Sequence, residues 1–187
     1  MSDIADQPDA SSRFADSLPV HPDALLAALA QADISFEHFH HVPLRTVADS
    51  KQVRDDMLSR AEGGGHIKNL YLRDKKKNQF LVVLDEDRQV DLKALEQVMG
   101  ANRLSFGSAD RLLENLGVRP GAVTPLAMMT GKDKNVRLVL DASLKDTQII
   151  YVHPLVNDQT LGLSPTGLSD FLDHLGVTAQ WVDFDSL

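Results

Sequence analysis

The chain contains no cysteine. A thiol nucleophile, thiolate metal ligands and a disulfide framework are therefore excluded. No apolar run approaches the ~20 residues needed to span a bilayer, so no membrane partner is expected. The first residues include Asp3, Asp6 and Asp9 and no apolar stretch, unlike a signal peptide, and the default location is cytoplasmic. An excess of positive charge is also missing. The formal net charge of −8 argues against sequence-blind binding to DNA or RNA, while leaving room for one RNA end in a local basic site. Two catalytic signatures are absent as well. There is no Gly-x-Ser-x-Gly elbow, and the run Gly63-Gly64-Gly65 lacks the P-loop spacing and precedes a strand rather than a helix.

What is present is a chain of 187 residues, most simply one domain with a proper core. Residues 1–20 are small, polar and acidic and are expected to form a flexible tail, with the folded domain over 21–187. Pro22 and Asp23 open a helix carrying Leu25, Leu26 and Leu29 on one side. Residues 34–41 read as a strand. Thr46 reads as the cap of a helix that ends before the glycine run. A hairpin follows, with strands at about 66–74 and 80–85. Its tip, Lys75-Lys76-Lys77-Asn78, reads as a solvated turn with at most a minor RNA phosphate contact. Asp91 and Ser108 cap two short helices stopped by Gly100 and Gly117. Strands are expected at about 126–129, 135–141 and 147–153. Ser164 and Pro165 open a last helix, and a strand at 180–184 closes the chain. Strands joined by short turns among interspersed helices favour α+β, a single domain with a mixed, mostly antiparallel curved sheet surrounded by helices.

The most informative segment is Gly63-Gly64-Gly65-His66-Ile67-Lys68-Asn69-Leu70-Tyr71-Leu72. Side chains alternate along a strand, so Lys68 shares its face with Leu70 and Leu72. An ammonium on an apolar face either lines a pocket, where it can anchor a phosphate, carbonyl or ribose hydroxyl, or covers the core edge with its stem while its head reaches water. On position alone both readings stand. His153 ends the strand Gln148–His153 before Pro154, where a functional and a packing histidine are equally reasonable. The loop Gly121-Ala122-Val123-Thr124-Pro125 can aim backbone N–H groups at an oxyanion, or be an ordinary connection. His38 and His40 share a strand face, but no helical His-x-x-x-His and no carboxylate partner accompany them, which disfavours a metal site.

Gly65-His66-Ile67-Lys68-Asn69-Leu70, Gly121-x-x-x-Pro125 and Tyr151-Val152-His153-Pro154-Leu155 with Asn157, Thr160, Leu161 and Gly162 together resemble the YbaK family. This is the fold of the editing domain inserted in bacterial prolyl-tRNA synthetases. Within it the chain is most similar to the freestanding ProX-type alanyl-tRNA(Pro) deacylases. The resemblance covers about residues 22–185. It implies hydrolysis of the ester between alanine and the terminal adenosine of tRNA(Pro), with prolyl-tRNA synthetase as a further partner and no metal or other cofactor. By the same resemblance, Lys68 and the loop residues Gly121, Thr124 and Pro125 are catalytic, while His153, Asn69, Thr46 and Val47 hold the substrate. Two departures stand out. Relatives often carry glutamates where this chain has Ala48 and Asp49, and the acidic segment 1–20 has no counterpart. The alternatives are a cysteinyl-tRNA(Pro) deacylase, a non-catalytic module that binds tRNA or a synthetase, and a metal hydrolase built on the histidine cluster.

Overall fold

The computed structural model describes residues 7–186. Eight strands form one sheet: β1 (Glu37–His40), β2 (Gly64–Arg73), β3 (Gln79–Asp85), β4 (Ser105–Phe106), β5 (Val136–Asp141), β6 (Ile149–Val152), β7 (Gln159–Leu163) and β8 (Gln180–Val182). The order is β1-β7-β6-β2-β3-β5-β8, with β4 added to β2. The pairs β1–β7, β6–β7, β2–β3 and β2–β4 are antiparallel, and β2–β6, β3–β5 and β5–β8 are parallel. The mixed, mostly antiparallel α+β sheet read from the sequence is the observed one.

β3 explains the layering. Its residues alternate between two apolar clusters, so both of its faces are buried. Leu81 and Val83 join the larger core, built on α1 (Pro22–Gln31), α4 (Ala109–Leu116) and α6 (Pro165–His174). Phe80, Val82 and Leu84 join the smaller one, under α3 (Leu92–Met99). The helix signals act as expected. Asp91, Ser108 and Ser164 side chains accept amide hydrogen bonds at their helix starts. Gly100 and Gly117 close α3 and α4 in left-handed conformations.

Several expectations are corrected. The helix begun by Thr46 is only one turn, α2 (Val47–Ser50). After it the chain runs through turns to a 3-10 turn at Arg60–Glu62. The strand expected at 126–129 is instead a 3-10 turn, Pro125–Ala127, running into α5 (Met128–Gly131). Thr124 caps it and Pro125 occupies its first position, the arrangement that starts a helix rather than a strand. β7 is a strand the sequence pattern does not announce, since Gln159–Leu163 stands out only through the motif residues Thr160, Leu161 and Gly162. The flexible tail is corrected too, as far as residue 7. Ser12–Ser17 form a 3-10 turn. Ala10 and Ala15 are buried, and Ser12 donates to the Asp158 carboxylate through its amide (3.0 Å) and hydroxyl (2.5 Å). Composition suggests disorder because the fixing contacts come from Asp158, 146 positions away. Residues 1–6 lie outside the described part.

Candidate functional site

The site lies where β2 leaves a neighbour. One edge of β2 pairs with β3 without a break from Ile67 to Arg73. The other edge pairs with β6 only over Gly64–His66, and with β4 only at Leu72 and Arg73. Between them Ile67–Leu70 has no strand partner. The sheet opens there into a cleft of about 250 Å³, whose lining includes Lys68, Asn69, Gly121, Tyr151 and His153.

The segment before β2 forms one wall and is bolted down at Leu58. Its amide donates to the Tyr151 hydroxyl (2.7 Å), and its carbonyl accepts from His66 Nε2 (2.9 Å). A Cβ on Gly64 would collide with that same carbonyl, which gives the glycine run its reason. The His66 and Tyr151 rings stack at 4.9 Å. Burial pushes His66 below the usual histidine range, with Arg54 adding to the effect against the pull of the Leu58 carbonyl. The ring is therefore neutral at pH 7, with Nε2 protonated and Nδ1 bare. Arg54, also in the lining, is held by Glu86 through two bonds of 2.7 and 2.6 Å.

The facing wall comes from the loops at 121–124 and 153–160. Gly121 adopts φ +96°, and a Cβ there would meet Asn157 Nδ2 at 3.3 Å and the Leu44 carbonyl oxygen at 3.4 Å. Asn157 Nδ2 donates to that same carbonyl (2.6 Å), tying the 44–47 segment to the cleft. His153 Nδ1 donates to the Gln159 carbonyl (2.7 Å). Burial lowers its pKa, so its Nε2 is a bare acceptor. His41 closes this corner, its Nε2 hydrogen-bonded to Thr160 Oγ1 (2.8 Å) and its ring 6.3 Å from that of His153.

Lys68, Asn69, Gly121, His153, Thr46 and Val47 all line this one cleft. Lys68 is half-buried, and its ammonium donates to the Arg88 carbonyl. Two of its three N–H groups remain for a ligand. The side-chain oxygen of Asn69 is buried without a partner. Thr124 and Pro125 stand behind the cleft rather than in it. Thr124 is fully buried, and its hydroxyl accepts the Leu126 amide, so both residues shape the exit of the Gly121 loop. Asp49 is engaged locally. Its carboxylate accepts the Arg45 and Thr46 amides (3.1 and 3.0 Å), which lowers its pKa. Among the described residues no three His, Asp or Glu groups could hold a metal. In the histidine cluster, His38 bonds Gln159 (2.8 Å) and His41 bonds Thr160. Sequence reasoning named no role for Arg54, Met57, His66 or Tyr151. Only the alternation that put His66 on the Lys68 face hinted at one of them.

Residues 41–171 match the aminoacyl-tRNA editing domain family, and the chain belongs to that family. It is 32% identical to the prolyl-tRNA editing protein ProX of Acetoanaerobium sticklandii over 161 residues, covering 86% of this chain and 95% of that protein. It is 35% identical to the prolyl-tRNA synthetase associated domain-containing protein 1 of Xenopus laevis, again over 86% and 95% of the two chains. The fold is shared with a solved structure described as a candidate trans-editing enzyme for prolyl tRNA synthetase. That match has 18% identity and a TM-score of 0.61, covering 95% of this chain and 98% of the other. Among the described residues no helix is long and apolar enough to cross a membrane.

Proposed function

We propose that the protein is a trans-editing deacylase that hydrolyses alanine from mischarged alanyl-tRNA(Pro), releasing alanine and reusable tRNA. The observation that carries this reading is the unpaired stretch of β2. Beside it Lys68, Asn69, Gly121 and His153 line one cleft of about 250 Å³, which supports binding of a small ester. A synthetase pocket built for proline gains only ~1–3 kcal/mol against a smaller side chain, so a second, hydrolytic site is required.

An aminoacyl ester is already activated, and its hydrolysis calls for positioning more than for a strong nucleophile. Lys68 anchors the 3′ end through its two remaining N–H groups. The Asn69 side-chain oxygen accepts a hydrogen bond from the substrate's amine or ribose. Backbone amides of the Gly121 loop hold the carbonyl oxygen as it becomes an oxyanion. His153, neutral and fixed by Gln159, bounds the aminoacyl pocket and excludes larger side chains. A ribose hydroxyl of the substrate places the attacking water, and no metal or cofactor takes part. Thr46 and Val47 border the entrance. Prolyl-tRNA synthetase is the source of the mischarged substrate, and the cytoplasm, where tRNA is charged, is the site of action.

The test is release of labelled alanine from alanyl-tRNA(Pro), with prolyl- and cysteinyl-tRNA(Pro) as comparators, by the wild type and Lys68→Ala. Selective alanine release that disappears in the variant supports the reading. Faster release of cysteine than alanine moves the specificity to cysteine. Binding without turnover of any of the three overturns the deacylase.

A further inference from the structure

The far end of β2 carries a second feature. Arg73, Lys75, Lys76 and Lys77 surround the hairpin tip. The Lys75 amide bonds the Asn102 carbonyl (2.9 Å) and Arg73 pairs with Ser105, which brings Arg103 into the same patch. Three arginines near the cleft are matched by acids, Arg54 by Glu86, Arg60 by Asp85 and Arg88 by Asp141 and Asp185, whereas Arg45 in the lining has no salt bridge among the described residues. None of the five cations at the tip has a salt bridge among the described residues. Asp74, the acid in their midst, is buried and turned toward Asn78, accepting from its amide (2.8 Å) and side chain (2.7 Å).

Two further observations separate this patch from a merely solvated turn. Lys77 and Arg103 hold left-handed backbone, φ 69° and 56°, a conformation for which folding alone favours glycine or asparagine. Long cations occupy those positions at a cost in backbone strain. Beside them on β4, Phe106 is 64% exposed, a large aromatic with no core to fill. Clustered cations next to an exposed aromatic ring are the composition of a surface that tracks a phosphate backbone and offers a stacking face. In a chain of net charge −8 such a local reversal of sign is conspicuous.

We infer that Lys75, Lys76, Lys77, Arg103 and Phe106 form a second RNA contact, engaging the sugar-phosphate backbone of the substrate away from its 3′ end. The inference rests on the deacylase reading above and assigns it a separate surface. Lys75 lies seven residues beyond Lys68 along the same strand and its turn, at most roughly 23 Å at ~3.3 Å per residue. That is up to about seven base steps of ~3.4 Å along one strand of a duplex, long enough to reach from the ester to the paired nucleotides beyond the 3′ end.

The experiment compares two substrates, full-length alanyl-tRNA(Pro) and a short alanylated 3′-end oligonucleotide, for the wild type, a Lys75→Gln/Lys76→Gln/Lys77→Gln variant and Phe106→Ser. The triple variant is expected to raise KM for the full tRNA ~10-fold or more and to flatten its log–log salt dependence by about 3, at ~0.9 per phosphate. Its kcat and its turnover of the short fragment stay at wild-type values. Phe106→Ser should raise KM for the full tRNA with the salt dependence unchanged, as lost stacking requires. Equal losses on both substrates would show that the tip acts on the cleft and would overturn the proposal. So would unchanged KM and salt dependence, and if binding to prolyl-tRNA synthetase fell instead, the patch would belong to an acidic protein partner. Titration of uncharged tRNA(Pro) reads the same surface without turnover, so the patch is judged even if the chain proves not to be a deacylase.

Discussion

The two edges of β2 are built for opposite ends. Toward β3 the strand pairs at seven successive positions, between two buried apolar layers. Toward β6 it pairs at three positions and then departs. The closed edge gives the fold its rigidity, and the open edge gives it a place to put a ligand. The same strand is thereby a core element and a wall of the cleft, which holds the cleft residues on a stiff support. One rung of the ladder contains the whole contrast, because Lys68 sits directly across from Leu84.

That rung offers the sharpest way to break the comparison. Leu84→Ala removes a side chain that is 1% exposed in the smaller core and should cost about 3 kcal/mol of stability. Denaturant titration would show the loss, while kcat per folded molecule stays at the wild-type value. Lys68→Met should do the reverse. It keeps the stem against the core and removes the ammonium, so the denaturation midpoint is retained and kcat falls by about 100-fold, in the range for losing one preorganised polar group. If Lys68→Met unfolds the protein while preserving activity per folded molecule, the division between the edges is wrong.

A smaller effect probes the facing wall. Gly121→Ala places a methyl group at a φ of +96°, against Asn157 and the Leu44 carbonyl. The strain is on the order of 1–3 kcal/mol, and relieving it shifts the loop amides. The expected result is a tenfold fall in kcat with KM little changed and a modest loss of stability. Unchanged kcat would remove the loop from oxyanion stabilisation.

How much of this was legible in the chain follows the range of the forces involved. Helix caps and stops at Asp91, Gly100, Ser108, Gly117 and Ser164 are short-range hydrogen-bond and backbone effects, and they read correctly. The hairpin around Lys75–Asn78 was equally local. Strand alternation placed Lys68 on an apolar face and left its role open, and the family's motif order marked it for the candidate site together with the Gly121 loop, Asn69 and His153. What did not read were the long-range pieces. Ser12–Ser17 folds because Asp158 receives it, and α2 stops after one turn because the 54–62 segment is claimed by Tyr151, His66 and Glu86. The cleft exists because β2 and β6 part after His66, and no pattern within either strand announces that parting. Thr124 read as a site residue because its motif is contiguous, although its hydroxyl is turned back to cap the Pro125 turn.

The smallest expected effect distinguishes the two edges by pH. His66 and His153 both stand at the open edge, and burial is the main cause of the lowered pKa of each. The unfolded chain, with histidines near the ordinary 6.5, takes up protons that the folded chain resists. Stability is therefore fully present above pH 6.5 and is lost progressively as pH falls through that value toward the lowered folded pKa values. The denaturant midpoint should drop between pH 7.5 and 5.5 in the wild type. In a His66→Gln/His153→Gln variant, which keeps polar rings' hydrogen-bonding capacity but cannot take up a proton, the slope should be visibly flatter. An identical slope in both proteins would place the acid sensitivity elsewhere, on the closed edge or in the helices behind it. A flatter slope would show that the open edge, which borders the cleft, also sets the acid limit of the fold.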